Sequence, residues 1–267
     1  MYEPYGYTLI RMGDFLDGYC ESCGQGGQWC ICEGVYIEED ETDNRPRFDG
    51  AERDLRRENL TNISLVRANL IKADLSGKSL VGLDLLGSDI SGAKLMNSDL
   101  TDGCLAFCVI YQTDFSGATL VNADFWMSRF SSVKLRGANL KGAKLKGCDL
   151  ADSDLSLANF SEANMRNVKF SQRFWKRKPE CAEVYGANFA GTDLSSANFS
   201  DCNLSNVNFA NANLFNTFFT NANMSGANLS NANLEDAYFD GANLSGVNMH
   251  GAILKRTTMP DGRKRDG

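Results

Sequence analysis

Apolar residues recur along this chain with a period of five. Every fifth residue from Leu55 to Phe170 is apolar, and after a gap the register resumes at Val184 and Phe189 and runs to Met259. At an apolar fraction of 43%, so long an unbroken series is not accidental. Two residues before most centres stands a small side chain, as at Ala68, Ala73, Ala138, Ala143, Ala187, Ala227 and Ala232. A period of five fits neither the 3.6 of a helix nor the 2 of a strand. The chain must turn once per pentapeptide and bury one large and one small residue on each side. Four sides close a coil of roughly twenty residues, and such a coil can bury its inner face only against its neighbours.

Stacked coils pair their backbones at ~4.8 Å, so ten coils give a rod of about 48 Å. Glycine two places after many centres (Gly77, Gly82, Gly137, Gly142) suits the tight corners this requires. The predicted architecture is an all-β solenoid over 51–170 and 182–260, with a small head at 1–50, an inserted loop at 171–181 and a basic tail at 261–267.

Motifs such as Ala68-Asn69-Leu70, Ala73-Asp74-Leu75, Ala138-Asn139-Leu140 and Ala227-Asn228-Leu229 resemble the A-(D/N)-L-x-x signature of the pentapeptide-repeat family. The resemblance implies a right-handed quadrilateral β-helix. It also implies a DNA-mimic function as one option, since some members resemble duplex DNA and act on type II topoisomerases such as gyrase. Arg53, Glu58, Ile63, Lys78 and Leu83 replace the small residue in the first coils, so those coils are expected to be distorted.

Between Phe170 and Val184 the register slips by nine residues, which places a bulge at Ser171–Glu180. Phe174, Trp175 and four bases (Arg173, Lys176, Arg177, Lys178) there offer a grip for an acidic partner or nucleic acid. A solvated loop whose aromatics fold back on the rod explains the same residues.

The head shows no five-fold register but holds Cys20, Cys23, Cys30 and Cys32 around a glycine-rich stretch. Four thiolates so close in sequence could enclose a tetrahedral structural zinc ion, although the spacing is not that of two CxxC knuckles. A redox pair, a disulfide or free thiols fit the same residues. Cys108, Cys148 and Cys202 occupy the small inward position as fillers, and Cys104 and Cys181 have no partner in sequence. Nine cysteines, an odd number, favour a reducing setting. With no apolar run of membrane-spanning length and no signal pattern after Met1-Tyr2-Glu3-Pro4, the expected location is cytoplasmic.

The net charge of −7 resides in the head, where residues 1–50 carry eleven acids and three bases, including the run Glu38-Glu39-Asp40-Glu41-Thr42-Asp43. That run reads as a solvated linker or an electrostatic handle. Over 51–170 the charges balance, while 182–254 hold six acids and no base. The single histidine, His250, falls just after a centre and should face outward. No nucleophile–base constellation, P-loop or dinucleotide glycine pattern accompanies it, and a rod filled with Leu, Phe and Ala leaves no cleft. An enzyme is not expected.

Residues twenty apart share one outward column, so the sequence gives the surface directly. Leu86, Phe107, Trp126 and Met127 gather on one corner, with Tyr111 on the adjoining face, and Phe215, Phe218 and Tyr238 point outward further on. Clustered aromatics are typical interface anchors; covering by another part of the chain is the alternative. The expected function is a non-catalytic scaffold that binds a protein through these residues, the head or the inserted loop, as a monomer or homodimer. Nucleic acid and membrane partners are not expected, and gyrase modulation ranks second.

Overall fold

In a computed structural model of the chain, the described residues are 47–171 and 181–265. The chain divides into two compact units, Met1–Pro46 and Arg47–Gly267, and all described residues lie in the second. That unit is a right-handed quadrilateral β-helix. Its sides are too short for long strands, so the sheet is written as columns of parallel bridges between residues twenty apart, such as Asp74↔Lys94↔Asp114↔Lys134↔Asp154. Two neighbouring coils pair over three residues, β1 (Val109–Tyr111) against β2 (Arg129–Ser131), in parallel.

The five-residue period has a local cause that recurs along the rod. The centre's carbonyl accepts the N–H three residues on, as Leu135 does from Ala138 (2.9 Å) and Leu140 from Ala143 (3.0 Å). The second residue after the centre then holds positive φ, +66° at Gly137 and +70° at Gly142, the left-handed geometry of a type II turn. Asparagine takes this place in the distal coils, at Asn206, Asn211, Asn221 and Asn231, because it tolerates that region better than other residues with a Cβ.

The residue before the centre explains the family's Asp/Asn preference. Its side-chain oxygen accepts the N–H two residues on, as Asp74 does from Ser76 (3.1 Å) and Asn188 from Ala190 (3.1 Å). Where the residue is asparagine, the amide also donates to its counterpart one coil back. Asn188, Asn208, Asn228 and Asn248 form such a ladder, with spacings of 2.9–3.1 Å. Aspartate can make only the first bond.

The core is continuous. Leucine columns fill the first half, and from Phe160 onward two phenylalanine columns face each other across the axis. Phe170, Phe199, Phe219 and Phe239 stack at 4.1, 5.5 and 4.9 Å between centroids, and Phe160, Phe189 and Phe209 at 5.2 and 5.3 Å. Rings of the two columns meet edge to face, for example Phe199 with Phe209 at 5.7 Å. The first coil is loosened as expected: Asp49 and Asp54 bridge to the coil above, but Asn59 and Ser64 form no bridge.

The inserted segment leaves the helix without breaking it. Asp154 pairs with Glu183 and Lys169 with Asn198, 29 residues apart instead of twenty, so every column resumes beyond it. Its base is closed by the antiparallel bridge Ser171↔Cys181 and the bond from Ala182 N–H to Phe170 O (2.8 Å). At the distal end, β3 (Thr257–Thr258) turns back onto β4 (Lys264–Arg265) in antiparallel pairing. Leu244, Met249 and Leu254 of the last coil are only partly buried.

Candidate interaction surface

Four expected site residues meet on one corner of the rod. Leu86 and Trp126 lie in the column directly after the Leu85–Leu105–Phe125 centres, and Phe107 and Met127 lie in the next column. The Phe107 and Trp126 rings meet edge to face at 5.1 Å. Trp126 remains 39% exposed, whereas Leu86, Phe107 and Met127 are half-buried rather than fully outward. Stacking at 4.8 Å steps makes each outward side chain lie on the one a coil below, which is why these three are more covered than a column reading suggests.

Phe107 and Met127 occupy the left-handed position, at φ +58° and +60°. Gly87 and Gly147 hold the same place one coil before and after. A bulky side chain there costs roughly 1 kcal/mol against glycine.

Tyr111, 42% exposed, sits across the adjoining side and lines a cleft of about 430 Å³ with Gln112, Phe130, Ser131, Ser132 and Ala151. Phe215, Phe218 and Tyr238 form a separate distal group in which Phe218 and Tyr238 stack at 5.0 Å; the two phenylalanines are exposed and Tyr238 is half-buried. Phe174 and Trp175, and the four head cysteines Cys20, Cys23, Cys30 and Cys32, lie outside the described residues. Among the described residues no group of three or more His, Cys, Asp or Glu is placed to hold a metal ion, and no helix is long and apolar enough to cross a membrane. His250 is exposed.

One reading of the sequence needs correction. Cys181 is not unpaired and Cys202 is not a mere filler: they form a disulfide, with Cα atoms 5.3 Å apart. The two lie 21 residues apart, one coil and one residue, so Cys181 already stands in the helix beside Cys202 rather than in the inserted loop. The argument for a reducing setting from unpaired thiols loses that support. Cys104, Cys108 and Cys148 are free, and burial pushes the Cys108 thiol up to about 12 and raises that of Cys148 as well.

Acids of 182–254 are met by bases from outside that stretch, because Lys255 and Arg256 of the last coil turn back onto them. Lys255 lies 3.1 Å from Glu235, and Arg256 bonds both Glu235 (2.9 Å) and Asp236, holding Asp236 below the usual carboxylate range. Arg166 stands 3.8 Å from Asp193. Sequence reasoning also missed Tyr185, 70% exposed, and Leu157 beside it. That pair is readable from the columns once the nine-residue slip is applied.

The description "Pentapeptide repeats (8 copies)" matches residues 63–102, 105–137 and 134–172, and "Pentapeptide repeat region" matches 183–263. A comparison with curated proteins returns no match. Among solved structures, the chain is similar to HetL, a pentapeptide repeat protein involved in heterocyst differentiation regulation from the cyanobacterium Nostoc sp. strain PCC 7120. The two share 26% identity over 75% of this chain and 92% of HetL, with a TM-score of 0.52. Rfr23 from the cyanobacterium Cyanothece 51142 is 28% identical over 37% of this chain and 58% of its own (TM-score 0.28). QnrB1, a plasmid-mediated fluoroquinolone resistance protein, is 17% identical over 78% of this chain and 91% of its own (TM-score 0.37). With repeat matches on both sides of the insertion and a four-sided helix to carry them, the chain belongs to the pentapeptide-repeat proteins.

Proposed function

We propose that this chain is a non-catalytic scaffold that holds a protein partner on the corner formed by Phe107, Trp126 and Met127. The observation that carries this reading is a large aromatic left half open to solvent beside two bulky residues in left-handed geometry. Burying an exposed tryptophan is worth more to an interface than to an isolated rod, and tryptophan leads the residue types that anchor interfaces. The interior supports the non-catalytic part: each coil is filled by its own Leu, Phe and Ala, and catalysis needs a concave, water-excluding site.

The test is affinity capture with the wild-type chain and with Trp126→Asp. Loss of one specific partner from the variant, with its melting temperature unchanged, supports the corner. A partner set identical for the two proteins sinks it.

The alternative, a DNA mimic acting on gyrase, needs a long acidic surface. Lys94, Lys134 and Lys144 interrupt the acidic columns, and Lys255 and Arg256 neutralise their distal end. A supercoiling assay decides the matter: inhibition of gyrase at micromolar protein or below would reverse the order of the two readings.

A further inference from the structure

On the side of the rod next to the Trp126 corner the backbone ladder is interrupted. On flanking coils Phe107 N–H bonds Trp126 O and Gly147 N–H bonds Arg166 O, both at 2.9 Å; Gln112 N–H bonds Ser131 O at 2.9 Å and Leu150 N–H bonds Lys169 O at 2.8 Å. Among the described residues, the equivalent rungs from Met127, Phe130 and Ser132 to the coil above are not made. The ladder resumes on the next side, where Leu135 N–H reaches Asp154 O at 2.7 Å.

The cause lies in the core. Phe115, Phe125 and Phe130 crowd a single coil, with centroids 6.2 and 5.3 Å apart, where the coil below has Leu105 and Ile110 and the coil above Leu145 and Leu150. Overfilling a packed interior displaces backbone, and the wall parts at Phe130. The cleft of about 430 Å³ between Tyr111 and Ala151 opens on this seam.

Bases outnumber acids around the seam, where Asp149 stands between Arg129 and Lys169 in one column and Asp152 lies above Ser132. Arg129, Lys146 and Lys169 are exposed and, among the described residues, have no carboxylate within ion-pair distance. Lys146 and Arg166 continue the Trp126 column upward, and Arg129 and Lys169 lie in the column between Trp126 and the cleft. Other bases on the rod are matched one coil away, as Lys144 is by Asp124 (3.0 Å) and Lys72 by Glu52 (2.9 Å), whereas here three unmatched bases fall within three successive coils.

We infer that this side binds an extended acidic peptide segment of the partner, running from Trp126 across Arg129 and Lys146 to the Tyr111 cleft. The inference rests on the proposed scaffold function and names the partner's chemistry. Trp126 and Tyr111 stand about five residues apart along the side, so the segment has an apolar residue at each end and acidic residues between them. Its carboxylates meet the unmatched bases, and its backbone and side-chain oxygens supply acceptors for the N–H groups of Met127, Phe130 and Ser132, which the ladder leaves unused.

A polynucleotide fits less well. Its affinity depends on many phosphate contacts along a basic stripe, whereas this patch is confined to three coils of a chain with a net charge of −7.

The probe is a fluorescein-labelled peptide with the core Leu-Glu-Asp-Glu-Leu between glycine flanks, titrated against the full chain by anisotropy. Controls are the same peptide with Leu-Lys-Arg-Lys-Leu, one with Gly-Glu-Asp-Glu-Gly, and a ten-nucleotide thymidine strand. The acidic–apolar peptide is expected to bind at least tenfold more tightly than each control. The double variant Lys146→Glu/Lys169→Glu is expected to weaken it about tenfold or more without changing the circular dichroism spectrum. Amide resonances of Met127, Phe130 and Ser132 should shift on titration.

Equal binding of the basic peptide, tighter binding of the oligonucleotide, or indifference to the double charge reversal overturns the inference. Should Trp126→Asp abolish partner capture while Lys146→Glu/Lys169→Glu leaves it intact, the scaffold reading stands and the acidic class falls. Should neither variant affect capture, both fall.

Discussion

Replacing Phe209 with alanine tests whether the rod is held by its aromatic columns. Phe209 is fully buried. It stacks on Phe189 at 5.3 Å and meets Phe199 and Phe219 edge to face at 5.7 and 6.1 Å. Truncation removes the transfer free energy of the ring, about 2–3 kcal/mol. It also leaves a cavity that costs roughly 24 cal/mol per Å³, or about 2 kcal/mol for the volume of a ring. Collapse to fill that space is hindered, because the backbone on either side is fixed by ladder bonds such as Phe189 N–H to Asn208 O and Phe209 N–H to Asn228 O, both 2.8 Å. The expected loss is therefore near 4 kcal/mol, with Phe209→Leu costing only about 1 kcal/mol.

Because repeat rods couple through nearest neighbours, the loss should be local. Hydrogen exchange read by mass spectrometry should accelerate over the coils from Phe189 to Leu229 and leave those before Phe130 unchanged. A destabilisation under 1 kcal/mol in urea, or acceleration spread evenly along the chain, would refute the reasoning.

The thiols give two further expectations. In native protein, Cys108 and Cys148 should resist an aromatic disulfide reagent until the chain unfolds, and two cysteines should react only after reduction of the Cys181–Cys202 bond, as thiol counting by mass shows. Burial raises the folded Cys108 pKa to about 12 from an ordinary value of 9.0. The folded state thus holds the proton more firmly than the unfolded chain does. Stability that is complete below pH 9 should fall as pH rises towards 12, by up to about 1.4 kcal/mol per unit for this thiol; Cys108→Ala should flatten that slope in urea melts. The four head cysteines predict about one zinc ion per chain by elemental analysis of reduced protein, and metal-free protein would retire the site.

The columns of the fold were legible because one rule repeats. A fixed period of five assigns Leu140 inward, Asn139 to the ladder and Gly142 to the left-handed corner, with no long-range information needed beyond stacking. The first coil could be read for the same reason in reverse, since Arg53 and Glu58 cannot fill a small inward position. The Cys181–Cys202 pair was not legible in this way. Its spacing of 21 residues fits the coil, but a loop drawn through 171–181 takes Cys181 out of the columns, and only the bridge Ser171↔Cys181 shows that the helix has already resumed there. The half-burial of Phe107 and Met127 escaped for a related reason: a column says which way a side chain points, but not how far the one below it covers it.

The parted wall at Phe130 shows how a periodic sequence can still vary its wall locally. No outward residue creates it; the change is in the inward positions, where Phe115, Phe125 and Phe130 share a coil that leucine would fill without strain. Distal coils also use phenylalanine, but on opposite sides, where rings of one column interleave with those of the other and the rungs from Phe189, Phe199 and Phe209 are made. Among the described residues, the distal rungs that are absent, from Val184 and Gly186, lie beside the Cys181–Cys202 disulfide instead. At Phe130 it is therefore the position of the phenylalanines within the coil, rather than their number along the chain, that opens the wall. On this argument Phe130→Leu should restore the missing rungs from Met127, Phe130 and Ser132, slow exchange of those three amides and leave Trp126 as exposed as before. A closed wall with undiminished affinity for the acidic peptide would separate the surface charge from the seam as the origin of binding.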